Sequence, residues 1–454
     1  MDTARTWIEP VVAGTQIGSS FYDTALLMVV RNHYNKTINN QLVSTNSSTD
    51  DVLQKAISNF YIIYNVIMGL TPLLSAYMLA KIGDNTSRKV TICVPLLGYL
   101  LSRMFLLFII LWEWPIEVMF GSAALNGLTG WFTTYWAGVM AWASLCSSER
   151  RRSQRLIIIE MVYGLAGFVG SLVSGHIFVH LNIANREGTI LVCCSTGCYA
   201  LCFLYSMFIL RTPEEDHCSE SRASLIDDTD NTTIQGHSAE ESTDLSPSKL
   251  IFITMFTSSV LFNISFTAAD DVINVFVLKA PLSWGPVDVG YGNAAAYMTY
   301  ITSFLGVFIL SQCMGDLAMI VIGIISFSSG LLILVFVRWT FMYYIARSVM
   351  MFSQIPMPTI RSVISKQIQG SSYGKVFVAL QLTIEIVAVS TSAGFNKLYQ
   401  ATLDWYSGFC FIVFGTLGFL SIIPIGIAAC NRCSNLDQRT IRITGNSIQV
   451  PEES

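Results

Sequence analysis

Stretches of about 20 apolar residues recur along nearly the whole chain, separated by short polar punctuation. A helix needs about that many to cross bilayer hydrocarbon, and a helix satisfies its own backbone groups where no water can. The pattern therefore predicts an all-α membrane protein with twelve transmembrane helices. The expected spans are 10–30, 58–80, 90–111, 116–145, 156–179 and 189–210, then 250–278, 291–310, 317–337, 340–358, 376–399 and 407–428. Between the two sets of six lies Arg211 to Lys249, rich in Ser, Thr, Asp and Glu and without apolar periodicity, which reads as a disordered linker. The chain thus divides into an N-terminal six-helix half (1–210), a cytosolic linker (211–249), a C-terminal six-helix half (250–430) and a cytosolic tail (431–454).

Composition supports this division. Only 12% of residues are charged, 52% are hydrophobic and the mean hydropathy is +0.54; a soluble fold of this size would need more polar surface. The net charge of -4 says little about partners, because much of the acid is concentrated in the linker. It implies no nucleic-acid surface. The start, Met1 to Glu9, runs into an apolar segment with no small-residue cleavage site, so the first helix is expected to act as its own insertion signal.

Orientation follows from the basic residues. With the N-terminus inside, cytosolic segments hold 17 of the 26 Lys and Arg, outer segments six and helices three, one of them Lys397 at the outer end of 376–399. Both termini are then cytosolic. The first outer loop carries two glycosylation acceptors, Asn35 and Asn46, where an outside loop should have them. Asn85 and Asn231 also fit the sequon but fall in cytosolic segments and should stay unmodified.

Ionisable residues inside spans cost a few kcal/mol or more unless paired or wet, so each is a functional candidate. Here they are Asp23, Arg103, Glu160, Asp270, Asp271, Arg347 and Glu385, with Arg361 just beyond the tenth span. Glu160 heads a stripe of Gly164, Gly167, Ser171 and Gly175 on one helical face. Small residues mark close helix packing, which points this carboxylate into the bundle as a proton carrier; an acid hydrogen-bonded for packing fits as well. Glu385 lies near the middle of its helix, suited to substrate amines or protons. Arg103 and Arg347 suit an anionic substrate, or a structural salt bridge. Asp270 and Asp271 are expected near the outer mouth, as proton carriers or as a solvated helix end. Arg361 follows Pro356 and Pro358, which should break the helix and turn Arg361 toward the cytosolic vestibule; an inside-positive anchor is the alternative.

The Cys430–Cys433 pair at the last membrane exit lacks two further ligands for zinc and reads as a palmitoylation site or as inert thiols. The other cysteines read as small packing residues. The sequence carries no nucleotide loop, nucleophile triad or metal cluster, which predicts no enzyme activity, no metal and no cofactor. Energy then comes from a proton or solute gradient.

Ala80 to Lys89 resembles the loop signature of facilitator-type transporters through Asp84, Arg88 and Lys89, with Ala80 and Ser87 in place of two glycines. Its role would be a conformational latch; a plain positive-inside loop also fits. Six plus six helices around a cytosolic linker is the major facilitator layout, whose halves rock about a site near the midplane. Arg5 to Ala13, Ala56 to Asn65 and Ser371 to Val378 are similar to solute carrier family 46, which includes the proton-coupled folate transporter.

That resemblance implies import of bulky organic anions with protons across plasma or endosomal membranes. Its solutes would be diaminopimelate-type muropeptides and cyclic dinucleotides delivered for innate immune sensing. The alternatives are a folate or antifolate transporter, or a non-transporting receptor or scaffold. The expected partners are an anionic small molecule, protons and membrane lipid, with a homo-oligomer left open. By resemblance, Glu160 matches the family's proton-coupling carboxylate, Arg361 its arginine after the tenth helix, and Asp84 and Arg88 its loop signature. Two departures stand out. The family's seventh-helix histidine is absent from 250–278, leaving Asp270 or Asp271 as substitutes, and Ser283 stands where the family has a disulfide cysteine.

Overall fold

The computed structural model describes residues 7–41, 49–85, 87, 89–145, 149–181, 188–210, 249–279, 281–367, 373–403, 405–406 and 408–431. Every described regular element is helical. In chain order these are α1 (Glu9–Gln41), α2 (Thr49–Asn85), α3 (Val90–Trp112), α4 (Val118–Leu128), α5 (Trp131–Leu145), α6 (Glu149–His180) and α7 (Thr189–Phe208). They continue as α8 (Lys249–Phe276), α9 (Pro286–Leu310), α10 (Asp316–Leu334), α11 (Thr340–Val349), α12 (Pro356–Gln367), α13 (Tyr373–Thr402) and α14 (Phe409–Leu420). Arg88, Asn46, Asn231, Cys433, the linker 211–248 and the tail from 432 lie outside the described residues, as does the side chain of Asp84.

Eight described helices are long and apolar enough to cross a membrane by length and composition alone. The other four expected spans fall on α1, on α4 with α5, on α11 with the start of α12, and on α13.

Two expected spans are broken. The run 116–145 is two helices, because Gly130 (φ 98°) and Trp131 (φ 45°) take left-handed conformations that end α4 and start α5 anew. The span 340–358 is α11, a 3-10 turn over Met350–Phe352, and then α12. Pro356 opens α12, where its missing N–H costs nothing. The two prolines thus place the break before Pro356 and leave Arg361 inside a helix. α1 also runs past its expected end to Gln41, so Asn35 sits exposed on a helix and not in a loop, and the Thr37 hydroxyl of its sequon donates to the His33 carbonyl at 3.0 Å.

The helices gather into two compact units. The first takes the described residues of Met1–Thr37, Ile67–Ser246 and Pro286–Ala294; the second takes those of Ile38–Val66, Pro247–Gly285 and Ala295–Ser454. In the first, α3 packs against α4, α5 and α7 over a core that includes Leu96, Tyr99, Tyr135, Trp142 and Tyr199. The small-residue stripe of α6 performs the close packing its spacing implies. A methyl built on Gly175 would lie 2.5 Å from the Pro286 carbonyl oxygen, and one on Gly290 2.6 Å from that of Ser171, so the start of α9 lies directly on the α6 backbone. In the second unit α8 packs on α13 and α14, and α10 on α11, α12 and α14. Exposed tryptophans, Trp112, Trp339 and Trp405, gather at helix ends, as interfacial rings do.

Candidate transport site

Within the second unit a cavity of about 70 Å³ opens between α8, α9, α10 and the broken stretch after α11. Its polar lining comes from Asp270, Thr299, Arg347, Ser353 and Gln354, and its apolar lining includes Phe266, Phe327 and Met350. The local sequence explains why polar groups collect here. The 3-10 turn leaves helix geometry just where Ser303 and Ser326 can bond its backbone: Ser303 Oγ donates to the Met351 carbonyl at 2.9 Å and accepts from the Gln354 N–H at 3.1 Å. Ser326 Oγ likewise donates to the Val349 carbonyl at 2.6 Å and accepts from the Phe352 N–H at 3.2 Å. An interrupted helix is tolerated at membrane depth only where such partners or a wet cavity satisfy it.

Arg347 is held by one end. Its Nε donates to the Tyr343 hydroxyl at 2.8 Å, with the guanidinium carbon 5.2 Å from the Tyr343 ring centroid. Among the described residues its two terminal nitrogens make no hydrogen bond or ion pair, and neither does the carboxyl of Asp270 on the same cavity. A planar donor fork of this kind matches a carboxylate, sulfate or phosphate.

Asp271, the next residue of α8, faces other partners. Asn65 Nδ2 of α2 donates to its Oδ1 at 3.2 Å and to Ser392 Oγ of α13 at 3.3 Å. Asp271 Oδ2 is buried and accepts no hydrogen bond among the described residues. Adjacent acids therefore divide, one toward the cavity and one into a three-helix polar contact.

The remaining expected site residues are scattered. Arg103 is only 3% exposed, with its guanidinium carbon 4.1, 4.7 and 4.5 Å from the ring centroids of Tyr22, Tyr99 and Tyr199. Three aromatic faces occupy the positions a ligand would take. Glu160 is exposed while Gly164, Gly167, Ser171 and Gly175 are buried, so the carboxylate lies beyond the tightly packed part of its stripe and not inside it. Glu385 and Arg361 are half-buried on α13 and α12, and neither lines this cavity. Lys89 occupies the position before the first residue of α3, with no side-chain capping bond. The sequence reading missed Asn65, Ser392 and Tyr343. A signal for one set was present: Ser392, Asn396 and Gln400 repeat every four residues along one face of α13.

Comparisons with known proteins fix the class. The family model for the Major Facilitator Superfamily matches residues 15–310. A D-xylose–proton symporter structure superposes with a TM-score of 0.66 at 11% identity, covering 92% of this chain and 96% of its own. A peptide transporter structure superposes at 0.61 and 10%, covering 92% and 93%. These establish a multi-pass membrane transporter of the major facilitator fold, not an enzyme. Within that class the chain belongs to solute carrier family 46. It is 46% identical to "Solute carrier family 46 member 2" of Canis lupus familiaris, over 97% of this chain and 96% of that protein. It is 27% identical to the lysosomal proton-coupled steroid conjugate and bile acid symporter of Gallus gallus, over 90% and 86%.

Proposed function

We propose that this protein imports bulky organic anions together with protons, and that the solutes belong to the folate, bile acid or steroid-conjugate type. The observation that carries the reading is the pair of consecutive acids on α8. Asp270 shares a cavity with the free donor fork of Arg347, while Asp271 accepts from Asn65, whose amide also donates to Ser392. An anion bound at Arg347 changes the field at Asp270, and a proton on either carboxyl changes the charge its neighbour sees. Substrate and proton are thereby linked over one residue. The chemistry of the named relative, a proton-coupled symporter of steroid conjugates and bile acids, supports this. So do the aromatic rings Phe266 and Phe327, tilted 36° to each other on the apolar side of the cavity, where a ring system would pack.

Arg361 would hold the anion at a second stage of transport, with Glu160 and Glu385 as further proton carriers and Asp84, Arg88 and Lys89 as the latch. The membrane would be plasma, endosomal or lysosomal, with both termini cytosolic, and the driving force the proton gradient.

The test is uptake of labelled methotrexate, taurocholate, a steroid sulfate, a diaminopimelate muropeptide and a cyclic dinucleotide at external pH of about 5.5 and about 7.5. The expected result is acid-stimulated uptake of the fused-ring anions, abolished by Arg347→Ala. Preference for muropeptide or cyclic dinucleotide over all fused-ring anions would replace the solute class. No uptake above untransfected cells for any of them would favour a receptor or scaffold.

A further inference from the structure

We propose that Asn65 and Ser392 are positioning residues for the coupling proton on Asp271, and that this proton sets how firmly the outer half of α2 is held against α8 and α13. The inference rests on the proton-coupled reading above.

The outer half of α2 is fastened within the second unit by a continuous polar seam. From the deep end, Asn65 bonds Asp271 and Ser392. Ser58 Oγ donates to Asn396 Oδ1 at 3.4 Å, and Gln400 Nε2 donates to Ser58 Oγ at 3.0 Å. Lys397 and Gln400 both donate to Asn59 Oδ1, at 2.8 and 2.9 Å. Farther out, Lys279 pairs with Asp51 at 2.8 Å. Ser58, Ser392 and Asn396 are each at most 4% exposed. The same helix changes allegiance at residue 67, beyond which α2 belongs to the first unit, and Gly69 and Pro72 follow at once. A proline inside a helix removes one ladder bond and weakens it locally, so α2 can bend between its two attachments.

Asp271 is the seam member whose attachment depends on a proton. Its Oδ1 has a donor in Asn65, but Oδ2 is buried with none among the described residues. A charged oxygen without a donor is expensive to bury and a neutral hydroxyl far less so. With the proton on Oδ2 the carboxyl is neutral and α2 stays docked. When the proton leaves to water, the Asn65 bond to Oδ1 strengthens, but Oδ2 becomes a buried charge with no donor among the described residues. That larger cost is relieved by admitting water, which loosens the seam beside Asn65. No other bond changes in the step. The titratable and charged groups on the packed elements are Asp270 before it on α8, Glu385 and Lys397 on α13, and Lys55 with the Lys279–Asp51 pair toward the end of α2. Lys397 is occupied by Asn59 and Gln400, and Lys279 by Asp51. Asn65 is left as the side chain that donates to the carboxyl, and Ser392 as the group that shares its amide.

Two measurements on the full-length protein test this. The first is the pH profile of uptake for whichever anion the unsubstituted protein carries. Asn65→Ala removes the donor that favours the carboxylate, and Ser392→Ala the group that holds that donor in place. Half-maximal uptake should therefore move to higher pH, by about half to one unit for Asn65→Ala and by less for Ser392→Ala, with KM little changed. The second is maleimide labelling of Ser58→Cys in open membrane fragments, against the unsubstituted protein for the native thiols. Labelling should rise several-fold from about pH 5.5 to about pH 7.5, and adding Asp271→Asn should hold it at the acid level. Where uptake by the unsubstituted protein depends on pH, superimposed profiles of the variants overturn the proposal, as does labelling indifferent to pH or to Asp271→Asn. If labelling follows pH as stated but uptake does not, the clasp stands and the proton-coupled transport reading falls.

Discussion

Arg103 and Arg347 are both arginines inside apolar helices beside tyrosines, and their surroundings differ. Arg103, in the first unit, is enclosed by three rings and hydrogen-bonds Tyr199 only at a long 3.4 Å. Its Nε is buried without a partner among the described residues. The aromatic faces substitute for water there, at up to about 2 kcal/mol each when desolvated. Arg347, in the second unit, has one ring and one short bond to Tyr343, and the rest of its fork faces a cavity. A guanidinium surrounded on three sides is part of the packing. One anchored at a single nitrogen is available to a ligand.

The largest expected effect breaks that comparison directly. Arg347→Ala should leave the amount of protein at the membrane near normal and reduce uptake per molecule by at least about 30-fold, the loss expected when one partner of a buried charge pair is removed. Surface biotinylation alongside initial uptake rates measures both. An unchanged KM and maximal rate would end the assignment of the anion site to this cavity.

Arg103→Ala should show the reverse pattern. The three tyrosines lose the cation between them and a cavity opens in the core, so folded protein falls, with a destabilisation of about 3 kcal/mol. Thermal unfolding of detergent-extracted protein reads this as a lower Tm, while the molecules that do fold keep their KM. A raised KM at normal stability would return Arg103 to the substrate path.

How much of this was legible in the sequence follows from the same pair. Hydrophobic period and span length located the helices, since membrane solvent imposes one rule on every residue of a span. They missed the break at Gly130, because a glycine in an apolar run is as often tolerated as it is a terminator. Charge inside a span marked Arg103 and Arg347 equally, since both carry the same cost. What separates them is the number of rings brought together from α1, α3 and α7, a tertiary property with no local pattern. Glu160 shows the same limit. Its stripe of small residues correctly reported close packing, but the packing begins one turn after the carboxylate. The Ser392, Asn396 and Gln400 repeat was readable and shows that polar periodicity inside an apolar helix is worth as much as a lone charge.

A finer test keeps Arg347 and alters its anchor. Tyr343→Phe retains the ring under the guanidinium and removes the hydroxyl that accepts from Nε at 2.8 Å. One hydrogen bond to a charged group contributes about 1.5–3 kcal/mol, but the freed Nε can bond water in the cavity. The expected result is a KM raised about 3- to 10-fold with little change in stability. The matching change in the first unit, Tyr199→Phe, removes a bond of 3.4 Å from an already enclosed cation, and uptake should barely respond.

The smallest effect is expected at the outer end of the α2 seam, where Asp51→Asn removes the ion pair with Lys279. Both side chains are partly exposed, 27% and 14%, and Lys279 keeps its bond to the Leu403 carbonyl at 3.1 Å. Exposed pairs of this kind contribute about 0–1 kcal/mol and are screened by salt. Uptake should fall by less than about twofold, with its pH profile unmoved and the deficit shrinking as ionic strength rises. The variant shares a seam with Asn65 and Asp271 yet leaves the Asp271 carboxyl untouched, so the two ends of the seam test attachment and the proposed proton control separately. A pH shift in Asp51→Asn as large as that in Asn65→Ala would mean that loosening the seam anywhere moves the profile, and that Asp271 holds no special place in it.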